Sequence, residues 1–508
     1  MVESVVLKKF LPLFFIFATV LLLYHPALGV YFSQDDFFHF RASQTDGNLG
    51  SFIRLFGFPT FEERGYAFYR PVFREGFYNL YYLLFGLNAL PFRTISFLIH
   101  FTNIFLVFSF MERLFKKREL SLFTAFFFGI TAANVGVLYY GAGGIETSGV
   151  TMFLLLSLLF FWKYLGGEGK KFKTLSFIAY LFALGSHEIG AIIPILLLGV
   201  VFARESKWSG ILKRLRRELW VFFLILAVYL YLDVVRIGFL QTEEQYHVVL
   251  SIKKTINSFS WYAAWALGVP EMLIDFVRPG LKLNPILMRY WGEFFKVIFP
   301  AFLASLTVLI GSSIFLVVRQ RQVFHDKRFW FLVLWFPLAL FPVILLPLHK
   351  FTHYLIPALP AFWGAIGFLV LNAFWIFNKH RPSVARVLLG SLVALLFLLS
   401  ATSAKLGDGT YWAASRGRIA ERILKDMQLK YPQLPKGAIV YFKNDPSYPF
   451  VAEEWGSTSK QASFVLNGED ALQLFYHDPT LRVFYEDLDG VPKEFSQGNI
   501  YSFIVKLQ

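Results

Sequence analysis

The sequence predicts an all-α protein that crosses a membrane many times and ends in a small α/β domain outside it. Three observations lead there. Of 508 residues, 56% are hydrophobic and only 16% are charged, with 62 phenylalanines; soluble domains carry roughly 25% charge. The apolar residues fall in eleven runs, most of them close to the ~20 residues that cross a bilayer. The net charge of +15 is uneven: residues 405–508 hold 12 basic and 13 acidic side chains, which leaves +16 in the first 404. Base gathered in short clusters between apolar runs is a topology signal, so no nucleic-acid partner is expected. With no cysteine, the chain has no disulfide, thiol nucleophile or cysteine metal site.

The runs are 10–30, 94–111, 120–139, 149–165, 174–186, 189–203, 219–235, 294–318, 329–348, 355–377 and 387–404. The fifth and sixth are short and read either as two spans or as one re-entrant hairpin. Basic clusters at Lys8/Lys9 and within 113–118, 163–173, 204–217, 319–328 and 379–386 precede the first run and then fill every second gap. The positive-inside rule makes each of them cytoplasmic. Eleven crossings of a cell (inner) membrane then put the N-terminus inside and the C-terminus outside. Lys8 and Lys9 before an apolar stretch, with Ala27 and Gly29 after it, resemble a signal peptide; the run's length and the ten that follow favour an uncleaved first helix. The membrane domain, 1–404, has two long outer loops, 31–91 and 237–293, and loops of this length rarely lack function. The second carries Trp261-Tyr262-Ala263-Ala264-Trp265, suited to the headgroup plane. In the domain 405–508, residues 416–429 read as an amphipathic helix, and 438–442, 464–466 and 482–485 as strand-type runs separated by turn signals.

The chemistry-bearing residues gather in the outer segments. Asp35-Asp36 follows the first run directly, with His39 and Arg41 close behind. Two adjacent carboxylates in a partly dry place are costly, so one is expected to have a raised pKa, which suits a general base; the bland alternative is a solvated helix-end turn. Tyr69-Arg70-Pro71 closes the same loop. The guanidinium of Arg70 suits a phosphate, or else a lipid headgroup. Ser186-His187-Glu188 lies between the two short runs, where an ionisable pair faces a cavity or forms a polar knot between helices. His349-Lys350-Phe351-Thr352-His353-Tyr354 is a cationic outer patch suited to an anionic headgroup or pyrophosphate. Glu146 is the only acid in its short outer gap, and reads as a second active-site carboxylate or a solvated one. The chain has no Gly-rich phosphate loop ending in Lys-Ser/Thr and no His-Glu-x-x-His, which disfavours an ATP-driven pump.

Together these motifs resemble the multi-span glycosyltransferases of the C-type membrane fold, which use polyprenyl-phosphate-linked sugars. The likeness is greatest to the protein O-mannosyltransferase group and looser to the aminoarabinose transferases of lipid A. Asp35-Asp36 matches the acidic pair after the first span, and Tyr69-Arg70-Pro71 a Tyr-Arg-Pro motif. Ser186-His187-Glu188 matches Ser-Lys-Glu with His for Lys, and His353-Tyr354-Leu355-Ile356-Pro357 an Arg-Tyr-Leu-x-x-Pro-like motif with His for Arg. The resemblance covers roughly residues 10–377. It implies inverting transfer of a sugar from a polyprenyl-phosphate donor to a hydroxyl of a protein, lipid or glycan acceptor. Asp35 or Asp36 would be the base. Arg70, His349, Lys350, His353 and Tyr354 would hold the donor phosphate, supported by His39, Arg41, Tyr69, Glu146, His187 and Glu188. A divalent cation near the carboxylates is compatible, although no closed ligand set is visible. The alternatives are a transporter or flippase for a lipid-linked sugar, which would more often show a repeated half, and a scaffold whose outer domain binds a partner.

Overall fold

The computed structural model describes residues 2–205, 207–238, 244–448, 456–492 and 500–507, with side chains from residue 11 onward. The side chains of Lys8 and Lys9, residues 239–243 of the second long loop, and 449–455 and 493–499 of the C-terminal domain lie outside the described residues. Among the described residues, eight helices are long and apolar enough to cross a membrane, nine if Arg118–Ile130 and Ala132–Leu138 form one broken span bent by 46°. This is a multi-pass membrane protein; among the described residues, eight or nine of the eleven expected spans are helices of that length. The fifth and sixth runs fold as helices Lys171–Leu184 and Ile193–Arg204, of 14 and 12 residues. At 1.5 Å per residue they reach about 21 and 18 Å, short of the ~30 Å hydrocarbon core. The chain turns between them at His187, whose backbone is extended, and the short helix Glu188–Ile192.

The broken span shows how backbone polarity is satisfied inside an apolar body. Thr131 leaves helical geometry, with φ −54° and ψ 138°, and frees the carbonyls before it. Asn134 Nδ2 donates to the carbonyls of Phe128 and Gly129, each at 2.8 Å. The Tyr24 hydroxyl donates to the carbonyls of Ile130 at 2.9 Å and Thr131 at 2.7 Å. Irregular backbone at membrane depth survives only with such partners.

The stretch Trp261–Trp265 lies in helix Ile252–Leu267, and two of its rings face the protein interior. Tyr262 and Trp265 are fully buried in the main apolar core, and Trp261 packs against that core half-buried. Aromatic spacing marks an apolar face without saying what covers it.

In the C-terminal domain, strand Ile439–Lys443 lies between Arg482–Tyr485 and Ile500–Ile504, all parallel. Helix Trp412–Lys430 contains the expected helical segment. Residues 464–466, expected as strand-type, end helix Thr458–Leu466 instead. Ser457 caps that helix by accepting from the Lys460 amide, and Asn467 closes it at φ +54°. Ala462, Val465 and Leu466 are buried together, a helical spacing that a three-residue apolar run cannot reveal. The domain shares one apolar cluster with the first outer loop: Phe32, Phe37, Phe40, Tyr78 and Phe92 pack with Ile423, Leu424, Val440, Phe442, Val465 and Leu472.

Asn134→Ala leaves the Phe128 and Gly129 carbonyls without their donor, a loss of about 1–3 kcal/mol. Thermal unfolding in nanodiscs should show a lower Tm; an unchanged Tm would mean that the bend is held by packing alone.

Candidate functional site

The acidic pair opens helix Asp35–Ala42, and its two members face different media. Asp36 is 1% exposed. It accepts from the Ser33 amide at 3.1 Å and the Tyr78 hydroxyl at 3.0 Å. Arg93 lies near it and donates to the carbonyls of Val30 at 2.9 Å and Tyr31 at 3.1 Å. Gly141 lets the carboxylate lie against the backbone, because a Cβ there would collide with Asp36. Burial pushes the Asp36 carboxyl up to about 6 despite Arg93 and the two donors. Asp36 is thus the buried member of the pair, with the raised pKa expected of one of the two. Asp35 is exposed and accepts from the Tyr140 hydroxyl.

The C-terminal domain sets the turn before the pair. Gln34 sits at φ +47°, an uncommon geometry for a residue with a side chain. Its amide donates to the Val465 carbonyl at 2.9 Å, and its side chain accepts from Arg416. The Arg416 guanidinium lies over the rings of Trp412 at 4.8 Å and Phe464 at 4.6 Å, within electrostatic reach of Asp35 and Tyr140. Tyr140 packs against Trp412 at 4.8 Å and His353 at 5.5 Å between ring centroids. Asp35, Tyr140, His353, Trp412 and Arg416 thus form one cluster drawn from four separate segments.

A second cluster lies deeper. Arg70 forks onto Glu188, Nε donating at 2.9 Å and Nη2 at 2.7 Å, and Nη1 donates to Glu146. Two carboxylates thus engage the guanidinium that was expected to face a phosphate. Glu146 is not a solvated loop residue either; it is fully buried in helix Ala142–Leu165. His39, buried and held neutral chiefly by that burial, stands 3.9 Å from Glu146. His187 Nδ1 is 3.1 Å from Glu188 and accepts from the Ile189 amide at 3.2 Å. Tyr354 joins the clusters: its ring is 4.1 Å from that of His353 and 5.9 Å from that of His187, and its hydroxyl bonds His349 at 2.8 Å.

The outer patch is less cationic than its composition suggests. Burial pushes His349 down to about 4 and His353 well below its usual value, so both are neutral at pH 7. Lys350 remains, with Nζ donating to Asn257 Oδ1 at 3.2 Å. Gly136 permits the close approach of this segment, since a Cβ there would strike the Thr352 hydroxyl and the His353 amide. Tyr69 stands aside: its amide donates to Asp233 at 2.9 Å and its ring stacks on Phe58 at 4.2 Å. Arg41 is exposed and faces Asp470 of the C-terminal domain. Among the described residues, no group of three or more histidines and carboxylates could hold a metal ion.

Sequence reasoning missed Tyr140, Asp233, Glu271, Trp412 and Arg416. Tyr140 directly precedes the glycines 141, 143 and 144, whose close approaches were the available signal. Arg416 and Trp412 carried none, because an amphipathic helix explains them locally.

No protein-family profile matches the chain, and no curated protein matches it. Among solved structures, the chain is similar to the archaeal oligosaccharyltransferase AglB from Archaeoglobus fulgidus, determined in complex with an inhibitory peptide and a dolichol-phosphate. The TM-score is 0.45 at 11% sequence identity, and the match covers 94% of this chain and 65% of that one. The chain thus spans about 65% of the length of that protein.

Two outcomes follow from this geometry. Asp36, raised to about 6 when folded against about 3.9 unfolded, holds its proton more readily in the folded state. Its stabilising contribution is complete below about pH 4 and is lost as pH rises through 6. Between pH 4 and 7 the wild type should therefore lose on the order of 2–3 kcal/mol relative to Asp36→Asn, read as diverging Tm values. Arg70→Ala strands Glu146 as an uncompensated buried charge, at about 3–5 kcal/mol. Its Tm should drop steeply, and Glu146→Gln in the same chain should recover part of the loss.

Proposed function

We propose that the protein is an integral membrane glycosyltransferase that moves a sugar from a polyprenyl-phosphate donor to an acceptor hydroxyl on the outer face, with inversion. The observation that carries this reading is the exposed Asp35 carboxylate, held by Tyr140 beside His353, Trp412 and Arg416. The resemblance of the acidic pair and the later motifs to C-type transferases supports it.

Asp35 takes the proton of the acceptor hydroxyl as that oxygen attacks the anomeric carbon, and the bond from that carbon to the phosphate oxygen breaks. A single base and one direct displacement invert the centre. Negative charge grows on the departing lipid phosphate. Arg416 and Lys350 are the cations placed to stabilise it, and neutral His353 can add a hydrogen bond. Tyr140 orients Asp35, while Asp36 anchors the turn. The Arg70–Glu146–Glu188 knot shapes the floor under Tyr354 and His353. The N-terminus is cytoplasmic and the C-terminal domain lies outside, as the basic clusters require. The acceptor is a protein, lipid or glycan hydroxyl.

The test is sugar transfer by purified protein from a panel of labelled polyprenyl-phosphate sugars to membrane acceptors. Wild type should transfer label. Asp35→Asn should lose about 10²–10⁴-fold in rate at unchanged Tm. Full activity in Asp35→Asn would overturn the assignment of the base.

A further inference from the structure

A cavity of about 160 Å3 adjoins the proposed catalytic cluster and shares a wall with it. Phe351, Thr352 and Trp412 line the cavity, whereas Asp35, Tyr140 and His353 do not. Apart from Lys350 in its lining, its polar groups take no part in the transfer described above.

Glu271 is the central one. Its Oε2 accepts from the Thr352 amide at 2.6 Å and from the Thr352 hydroxyl at 2.5 Å. Burial pushes this carboxyl up to about 7. Asp275, one helical turn on, is exposed, and Lys350 is half-buried. Ser403 lines the same space at 1% exposure, and its hydroxyl has no hydrogen-bond partner among the described residues. A buried hydroxyl left unmet costs about 1–3 kcal/mol, so its partner is expected from what fills the cavity.

Size and lining narrow the occupant. An apolar cavity of about 150 Å3 takes up benzene, so this one has room for one six-membered ring. Here the walls combine carboxylate acceptors, an ammonium donor, the hydroxyls of Ser403 and Tyr411, and the indole of Trp412. A mixed set of this kind satisfies a ring bearing several hydroxyls. It suits neither an acyl chain, which would leave the polar lining unpaired, nor an anion, which would face Glu271 and Asp275.

We propose that this cavity is a monosaccharide-binding subsite that seats a sugar ring of the acceptor beside the catalytic cluster. Its assignment to the acceptor rests on the transferase reading; its carbohydrate chemistry does not. Ring hydroxyls donate to Glu271 and accept from Ser403.

The experiment is equilibrium binding of radiolabelled methyl glycosides of glucose, mannose, galactose, xylose and N-acetylglucosamine to the full chain in nanodiscs. Wild type, Asp35→Asn, Glu271→Gln and Ser403→Leu are compared, each checked for folding by Tm. At least one glycoside should bind saturably to wild type and equally to Asp35→Asn. Binding should weaken at least tenfold in Glu271→Gln and in Ser403→Leu; if the leucine variant does not fold, Glu271→Gln carries the comparison. No saturable binding by any glycoside, or binding unchanged in the folded cavity variants, overturns the subsite and leaves a water-filled cavity. Saturable, cavity-dependent binding in a protein that transfers no sugar would retain the subsite and sink the transferase reading alone.

Discussion

Successive residues of an α-helix point about 100° apart, and the outer end of this protein is built on that constraint. Asp35 and Asp36 are neighbours in the first turn of one helix, so their side chains point in different directions. Asp36 turns inward onto the Ser33 amide and the Tyr78 hydroxyl, against the space left by Gly141. Asp35 is thereby left exposed, on Tyr140. A buried carboxylate is costly unless hydrogen-bonded, so the donors around Asp36 are a condition for presenting Asp35 at all. The same turn needs Gln34 at positive φ, and the C-terminal domain holds it there through Val465 and Arg416. The C-terminal domain is thus part of the site's construction.

Below that layer, Arg70 ties together segments 76 and 118 residues away through Glu146 and Glu188. One guanidinium between two carboxylates, all largely buried, fixes the tip of the short hairpin against the first outer loop; the Val72 amide reinforces it by donating to the Gly185 carbonyl at 2.8 Å. Such a knot gives geometric definition more than net stability. It also leaves Arg70 engaged by two carboxylates at once. His349 and His353 are neutral because burial in a dry pocket disfavours the charged imidazole.

Much of this was legible in order but not in role. Asp35-Asp36, Tyr69-Arg70, His187-Glu188 and His353-Tyr354 were recognisable because ionisable residues beside apolar runs are rare and conspicuous. Which of them meet each other was not legible. Arg70 as a phosphate fork and Arg70 as a carboxylate knot are the same residue with different neighbours. The two short runs, 174–186 and 189–203, gave their own warning, since each is shorter than the ~20 residues of an ordinary span. Residues 464–466 were misread because three apolar residues fit a strand and a helical face equally well. Trp412, Arg416 and Glu271 lay in segments whose local pattern was fully explained by an amphipathic helix or an outer loop.

By itself the sequence determined that this chain lives in a membrane, where its apolar runs and basic clusters lie, and where charge interrupts them. Those are properties of composition and period, written residue by residue. Tertiary structure alone decided which aspartate faces out, which arginine remains open, and that the C-terminal domain reaches into the site. The physical reason is that burial and pairing depend on contacts between segments tens to hundreds of residues apart. The same carboxylate is an anchor or a candidate base according to what folds against it.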